Sequence, residues 1–115
     1  MNAPMTFLFR NIRQRFRVVD WSMAPTYVPG DRLFTVPLPQ LGRPLRDGDL
    51  VVLWDPEHPR RRLLKRVIKI TPAAGDSPAQ VEVQGDNLLR SRDSRHFGPV
   101  PVSQVIGIVV DSHPR

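Results

Sequence analysis

The 115-residue sequence contains no cysteine, which excludes disulfides, thiolate metal sites and a cysteine nucleophile together. Histidine is scarce: His58, His96 and His113 stand far apart, without the spacing that gathers imidazoles around zinc. No metal site and no cofactor is expected. Long apolar runs are missing as well. The apolar patch Met5-Thr6-Phe7-Leu8-Phe9 falls far short of the ~20 residues that cross a bilayer, and no small-residue cleavage site follows it as in a signal peptide. No transmembrane segment is expected, and the absence of cysteine is compatible with a cytoplasmic home. Aromatic residues make up 7% of the chain, and acids are outnumbered by basic residues 11 to 17, for a net charge of +6. Such a balance invites an anionic partner. With no zinc-finger, helix-turn-helix or RNA-recognition signature beside it, no specific nucleic-acid partner is expected.

Proline is abundant instead, at 13 residues, about twice the ~5% average. The prolines are spread along the chain, so they punctuate short elements and argue against long helices. The helix candidate lies in residues 1–19, where Leu8, Ile12 and Phe16 recur at four-residue spacing among Arg10, Arg13, Arg15 and Arg17. Residues 1–15 are therefore expected to be a basic amphipathic segment, helical or irregular. Residues 5–17 suit weak contact with an anionic membrane surface.

The remainder, 16–115, is expected to be one mostly β domain, a small barrel or sheet core. Strands are predicted at Phe16–Val19, Arg32–Val36, Leu50–Trp54, Arg60–Ile70, Val81–Gln84 and Val105–Val110. Turn signals at Gly30-Asp31, Asp47-Gly48-Asp49 and Gly85-Asp86-Asn87 separate them, and 71–79 forms a flexible connection.

Two places carry possible chemistry. Ser22 opens a loop stiffened by Pro25 and Pro29, and a hydroxyl held on a rigid loop suits nucleophilic catalysis. The ordinary reading of such a serine is a turn residue. Lys65 lies on a long strand and shares a face with Leu63 and Val67. If that face is buried, desolvation lowers the amine's pKa, and a neutral amine can take a serine proton without any histidine. Arg66 cannot act as the base, and Lys69 lies near the strand end.

Ser22-Met23-Ala24-Pro25-Thr26 resembles the nucleophile box of the type I signal peptidase family, Ser-Met-x-Pro-Thr. Gly30-Asp31 and Gly48-Asp49 resemble its glycine-aspartate turns, and Lys65-Arg66-Val67-Ile68 the box with its general-base lysine. Gly85-Asp86-Asn87 followed by Ser91-Arg92-Asp93-Ser94-Arg95-His96-Phe97-Gly98 resembles its last box. The boxes stand in family order over residues 16–110. The resemblance implies a serine endopeptidase with a Ser22/Lys65 dyad that cleaves an N-terminal extension from a precursor protein. It further implies that Ser91 orients the lysine, and that Asp93 and Arg95 form a supporting ion pair with Ser94 nearby. Met23 and Pro25 would belong to the substrate loop and cleft, and the Ser22 N–H would donate to the oxyanion.

Three departures accompany the match. Bacterial members often place a second oxyanion-hole hydroxyl two residues before the nucleophile; here that position is Asp20, whose carboxylate would repel an oxyanion. Lys69 replaces the glycine that follows Lys-Arg-Val-Ile. The membrane anchors and inserted β-domain of the bacterial enzymes have no counterpart, which makes the sequence most similar to the small soluble proteases that mature nickel-type superoxide dismutase. The alternatives are a membrane-associated signal peptidase-like enzyme, a self-cleaving SOS-type repressor domain, and a non-catalytic basic β-barrel that binds nucleic acid or membrane.

Overall fold

The apolar run Leu50-Val51-Val52-Leu53 forms the heart of a sheet, because three successive buried residues require cover on both faces of one strand. The computed structural model describes residues 13–114. Its strands are β1 (Gln14–Arg17), β2 (Arg32–Val36), β3 (Leu50–Asp55), β4 (His58–Thr71), β5 (Gln80–Gln84), β6 (Val100–Pro101) and β7 (Val105–His113). They make one antiparallel seven-stranded sheet in the order β1-β2-β7-β3-β4-β5-β6. The mostly β expectation holds. Val51, Leu53, Leu63, Val67, Val81, Val83, Val100 and Ile108 form the core.

Several boundaries differ from the sequence expectation. The helix predicted over residues 1–19 is not present at Gln14–Arg17, which pairs with Arg32–Thr35 as an edge strand; residues 1–12 lie outside the described part. Backbone pairing with β2 overrides the four-residue apolar spacing. The strand ends at Arg17, before the predicted Val18-Val19, and β1 crosses position 15. A one-turn helix, α1 (Ser94–Phe97), and the two-residue β6 are additions. The 71–79 connection carries an Ala74–Ser77 bridge.

Two Gly-Asp turns fix the segments that matter. Gly30 takes a φ of 98°, which an L side chain rarely adopts. This lets Gly30 N–H donate to Val18 O at 2.8 Å, while Val18 N–H donates to Asp31 O at 2.9 Å. The ends of the Ser22 loop are thereby tied together. The second turn grips β4: Gly48 N–H donates to Val67 O and Val67 N–H to Asp49 O, both at 2.8 Å.

Candidate active site

Lys65 sits where β4 has neighbours on both sides. Its cross-strand partner is Val51, whose own partner on the far side is Ile108, and β5 begins to cover the other edge at Arg66. Leu63 and Val67 flank it on the same face. Lys65 is 2% exposed, so the buried option left open by the strand pattern is the one realised. Burial pulls its amine below the ordinary lysine value. Asp20 and Asp93 oppose that shift, and Arg95 and Arg61 reinforce it.

The amine donates to Ser91 Oγ at 2.9 Å, and Ser91 Oγ donates in turn to Asp93 Oδ2 at 2.7 Å. Since the serine's one proton goes to Asp93, its oxygen can only accept from Lys65. A neutral Lys65 therefore keeps its lone pair free for another proton. Asp93 is fully buried and held by Arg95 Nε at 2.9 Å, Arg95 Nη2 at 3.1 Å and Gly85 N–H at 3.0 Å. Burial alone would raise its carboxyl; the bonds from Arg95, Gly85 and Ser91 outweigh burial and hold it well below the usual carboxylate range. Asp93 also caps α1 by accepting from Arg95 N–H at 3.1 Å, which explains a helix of a single turn. Ser94 Oγ accepts from Val83 N–H at 2.8 Å, stitching α1 to β5.

Ser22 reaches this cluster through its backbone. Its carbonyl accepts from Asn87 N–H at 2.9 Å, and Asn87 Nδ2 donates to Trp21 O at 2.9 Å. Asp86 receives Thr26 Oγ1 at 2.7 Å and both Arg66 Nε and Nη2, at 2.9 and 2.8 Å, tying the far side of the loop to the strand that carries Lys65. Gly85 lies in the seam. A Cβ there would stand 2.2 Å from Ser91 Oγ and 2.5 Å from Ser22 O, distances that no side chain tolerates. Ser22 is 6% exposed. The Lys65 amine is bonded to Ser91 and not to Ser22; a catalytic pair often tightens only once substrate is bound.

Chemistry-bearing residues from three separate boxes thus gather in one cluster, and Ser22 also lines a groove of about 490 Å³ between β1 and β4. Residues 3–77 and 77–112 match the family described as signal peptidase, peptidase S26. The chain belongs to that family. Among its relatives are the mitochondrial ATP-independent inner membrane protease subunit 1a of Arabidopsis thaliana, 36% identical over 103 residues that cover 75% of this chain and 61% of that one. The mitochondrial inner membrane protease subunit 1 of Mus musculus and that of Homo sapiens are each 31% identical over 100 residues, covering 75% of this chain and 60% of theirs. The chain spans about three-fifths of the length of these curated relatives.

In this signal peptidase family member, the structure brings together Ser22, Lys65, Ser91, Asp93, Ser94 and Arg95. Met23 is 1% exposed, lines the groove and accepts from Asp86 N–H through its sulfur at 3.4 Å. Pro25 is exposed and outside the groove lining. Asp20 is engaged differently from expectation: its Oδ1 accepts from Ser22 N–H at 3.1 Å, the donor that the family resemblance reserves for the oxyanion. Sequence reasoning missed the spacing role of Gly85 and the Asp86 bridge between Thr26 and Arg66. The Gly-Asp-Asn box was the signal that could have pointed to both.

Proposed function

We propose that this chain is a serine endopeptidase that removes an N-terminal extension from a precursor protein, with Ser22 as nucleophile and Lys65 as general base. The observation that carries this reading is the buried Lys65 amine, whose lone pair is left open by the Ser91–Asp93 hydrogen bond. Ser22 Oγ attacks the scissile carbonyl carbon as its proton passes to the neutral Lys65 amine. The resulting ammonium then protonates the departing amine. Water, deprotonated by the same lysine, then attacks the acyl ester left on Ser22; the acyl C–O bond breaks, the lysine ammonium returns its proton to Ser22 Oγ, and the carboxylic acid product leaves. Ser91 and Asp93 hold the lysine in place, and Arg95 keeps Asp93 ionised. During attack the Asp20 carboxylate leaves the Ser22 N–H so that this donor meets the oxyanion.

The names of the relatives favour a membrane-associated processing enzyme over one that matures nickel superoxide dismutase, and they lend no support to a cytoplasmic location. Among the described residues no helix is long and apolar enough to cross a membrane. The test is digestion of a proteome-derived peptide library, with new N-termini read by mass spectrometry. Wild-type protein should cut; Ser22→Ala and Lys65→Ala should not, while keeping the fold by circular dichroism. Full cleavage by either variant sinks the dyad. A nickel superoxide dismutase precursor included in the digest and cut once near its N-terminus would restore the narrower substrate.

A further inference from the structure

The groove that runs away from Ser22 is lined on one side by β1 and the segment after it, and on the other by the first half of β4. It encloses about 490 Å³. Val18, Leu33, Val52 and Leu63 supply a buried apolar floor. Its walls carry Arg15, Arg17, Arg60, Arg61 and Arg62. Four arginines elsewhere among the described residues are neutralised, Arg43 by Asp49, Arg66 by Asp86, Arg92 by Asp55 and Glu57, and Arg95 by Asp93, while Arg13, Arg32, Arg46 and Arg90 are single charges spread over the surface. None of the five groove arginines appears in such a pair. Arg62 instead stacks on the Phe16 ring at 4.9 Å, joining the two walls. Asp20 is the one acid in the lining, and its carboxylate is engaged at the Ser22 end of the groove.

Five arginines in the lining of a groove with an apolar floor, continuous with Ser22, give that groove an excess of positive charge. We infer that the groove takes an extended peptide in which acidic side chains alternate with apolar ones, so that negative charge near the scissile bond determines which precursors are cut. The inference rests on the endopeptidase reading and names its substrate class. Guanidinium forks bind carboxylates bidentately, with a geometry that lysine lacks, and alternating side chains of an extended chain point to floor and walls in turn. Arg60, Arg61 and Arg62 lie three to five residues before Lys65 on β4, or roughly 10–17 Å at ~3.3 Å per residue. Acidic residues are thus expected about three to five positions from the scissile bond, on one side of it. The arginines surround a concavity, which favours a peptide over a flat anionic lipid surface.

Binding is tested on Ser22→Ala protein, with fluorescently labelled octapeptides that alternate alanine with glutamate, glutamine or lysine. The glutamate peptide should bind at least about tenfold more tightly than the glutamine one at low salt, with the advantage shrinking as salt rises. In an Arg60→Glu/Arg61→Glu/Arg62→Glu background the preference should pass to the lysine peptide. An Arg46→Glu/Lys69→Glu/Arg90→Glu background, with the same change in net charge at residues outside the groove lining, should retain the preference for glutamate. Equal binding of the glutamate and glutamine peptides, no binding of either, or loss of preference in both triple variants would overturn the inference. So would groove-dependent binding to phosphatidylserine vesicles without peptide binding, which would assign the arginines to a lipid surface. Cleavage by wild-type protein but not by Ser22→Ala is read separately, so the endopeptidase reading can survive a failure here and can fail without it.

Discussion

β4 carries cations along its whole length, and its two halves use them in opposite ways. From Arg60 to Arg62 the guanidiniums are exposed, and hydrogen-bonded pairing comes from β3 on one edge. At Lys65 the strand passes from β3, whose pairing ends at Arg66, to β5, whose pairing begins there, and the Lys65 amine is buried and hydrogen-bonded to Ser91. The difference lies in surroundings. A guanidinium in water stays charged and can attract a substrate; an amine stripped of water is pushed toward neutrality and can accept a proton. On the proposed reading, binding and chemistry are thereby separated by a few residues of one strand, with Ser22 and Asp20 lining the groove beside them.

The sharpest way to break this contrast is Lys65→Met, which leaves an apolar side chain of similar length in the buried half. Cleavage should fall by about 10²–10⁴-fold, the usual contribution of a general base, while stability at neutral pH holds or rises because no ammonium needs desolvating. The sign follows from the lowered Lys65 value. Between that value and the ordinary lysine value the unfolded chain binds more protons than the folded one, so wild-type stability rises with pH across this window. Urea midpoints measured through the alkaline range should climb for wild type and lose that component in Lys65→Met. A variant that unfolds at neutral pH would mean the amine is held as a structural ion.

Gly85→Ala tests the seam between the Lys65 cluster and the Ser22 loop. Its methyl would overlap both Ser91 Oγ and Ser22 O, so the loop must back away. Overpacking costs about 1–3 kcal/mol, and a shift of ~1 Å at the serine can cost on the order of a hundredfold in rate. Thermal melting and kcat/KM report the two effects; wild-type values for both would mean the seam is not tight. The smallest effect is expected from Asp20→Ser. Releasing the Ser22 N–H should raise kcat a few-fold, about tenfold at most. Because Asp20 raises the Lys65 pKa, its loss should also move the rising limb of the pH–rate profile toward lower pH. An unchanged limb and an unchanged or lower rate would give Asp20 another role.

Most strands were legible in the sequence, since β-branched runs bounded by Gly-Asp turns leave few other options: β2 falls on the predicted Arg32–Val36, and β4 extends the predicted stretch at both ends. What escaped was held by partners remote in sequence or was too short to show a period. Gln14–Arg17 is a strand because β2 pairs with it, and α1 exists because Asp93 caps it.

The candidate site divides along the same line. The resemblance of the boxes singled out Ser22, Lys65, Ser91, Asp93 and Arg95 as candidates, because residue type and spacing are written in the chain. Strand alternation placed Lys65 on the face of Leu63 and Val67. Whether that face is dry depends on what the rest of the chain packs against it, Ser91 and Asp93 among them, and desolvation is a property of all the atoms around a group. The engagement of Ser22 N–H by Asp20 and the gathering of Arg15 and Arg17 beside Arg60–Arg62 likewise required the folded chain. These contacts join positions that a linear reading treats as independent, and electrostatics acts through the distance in space between them.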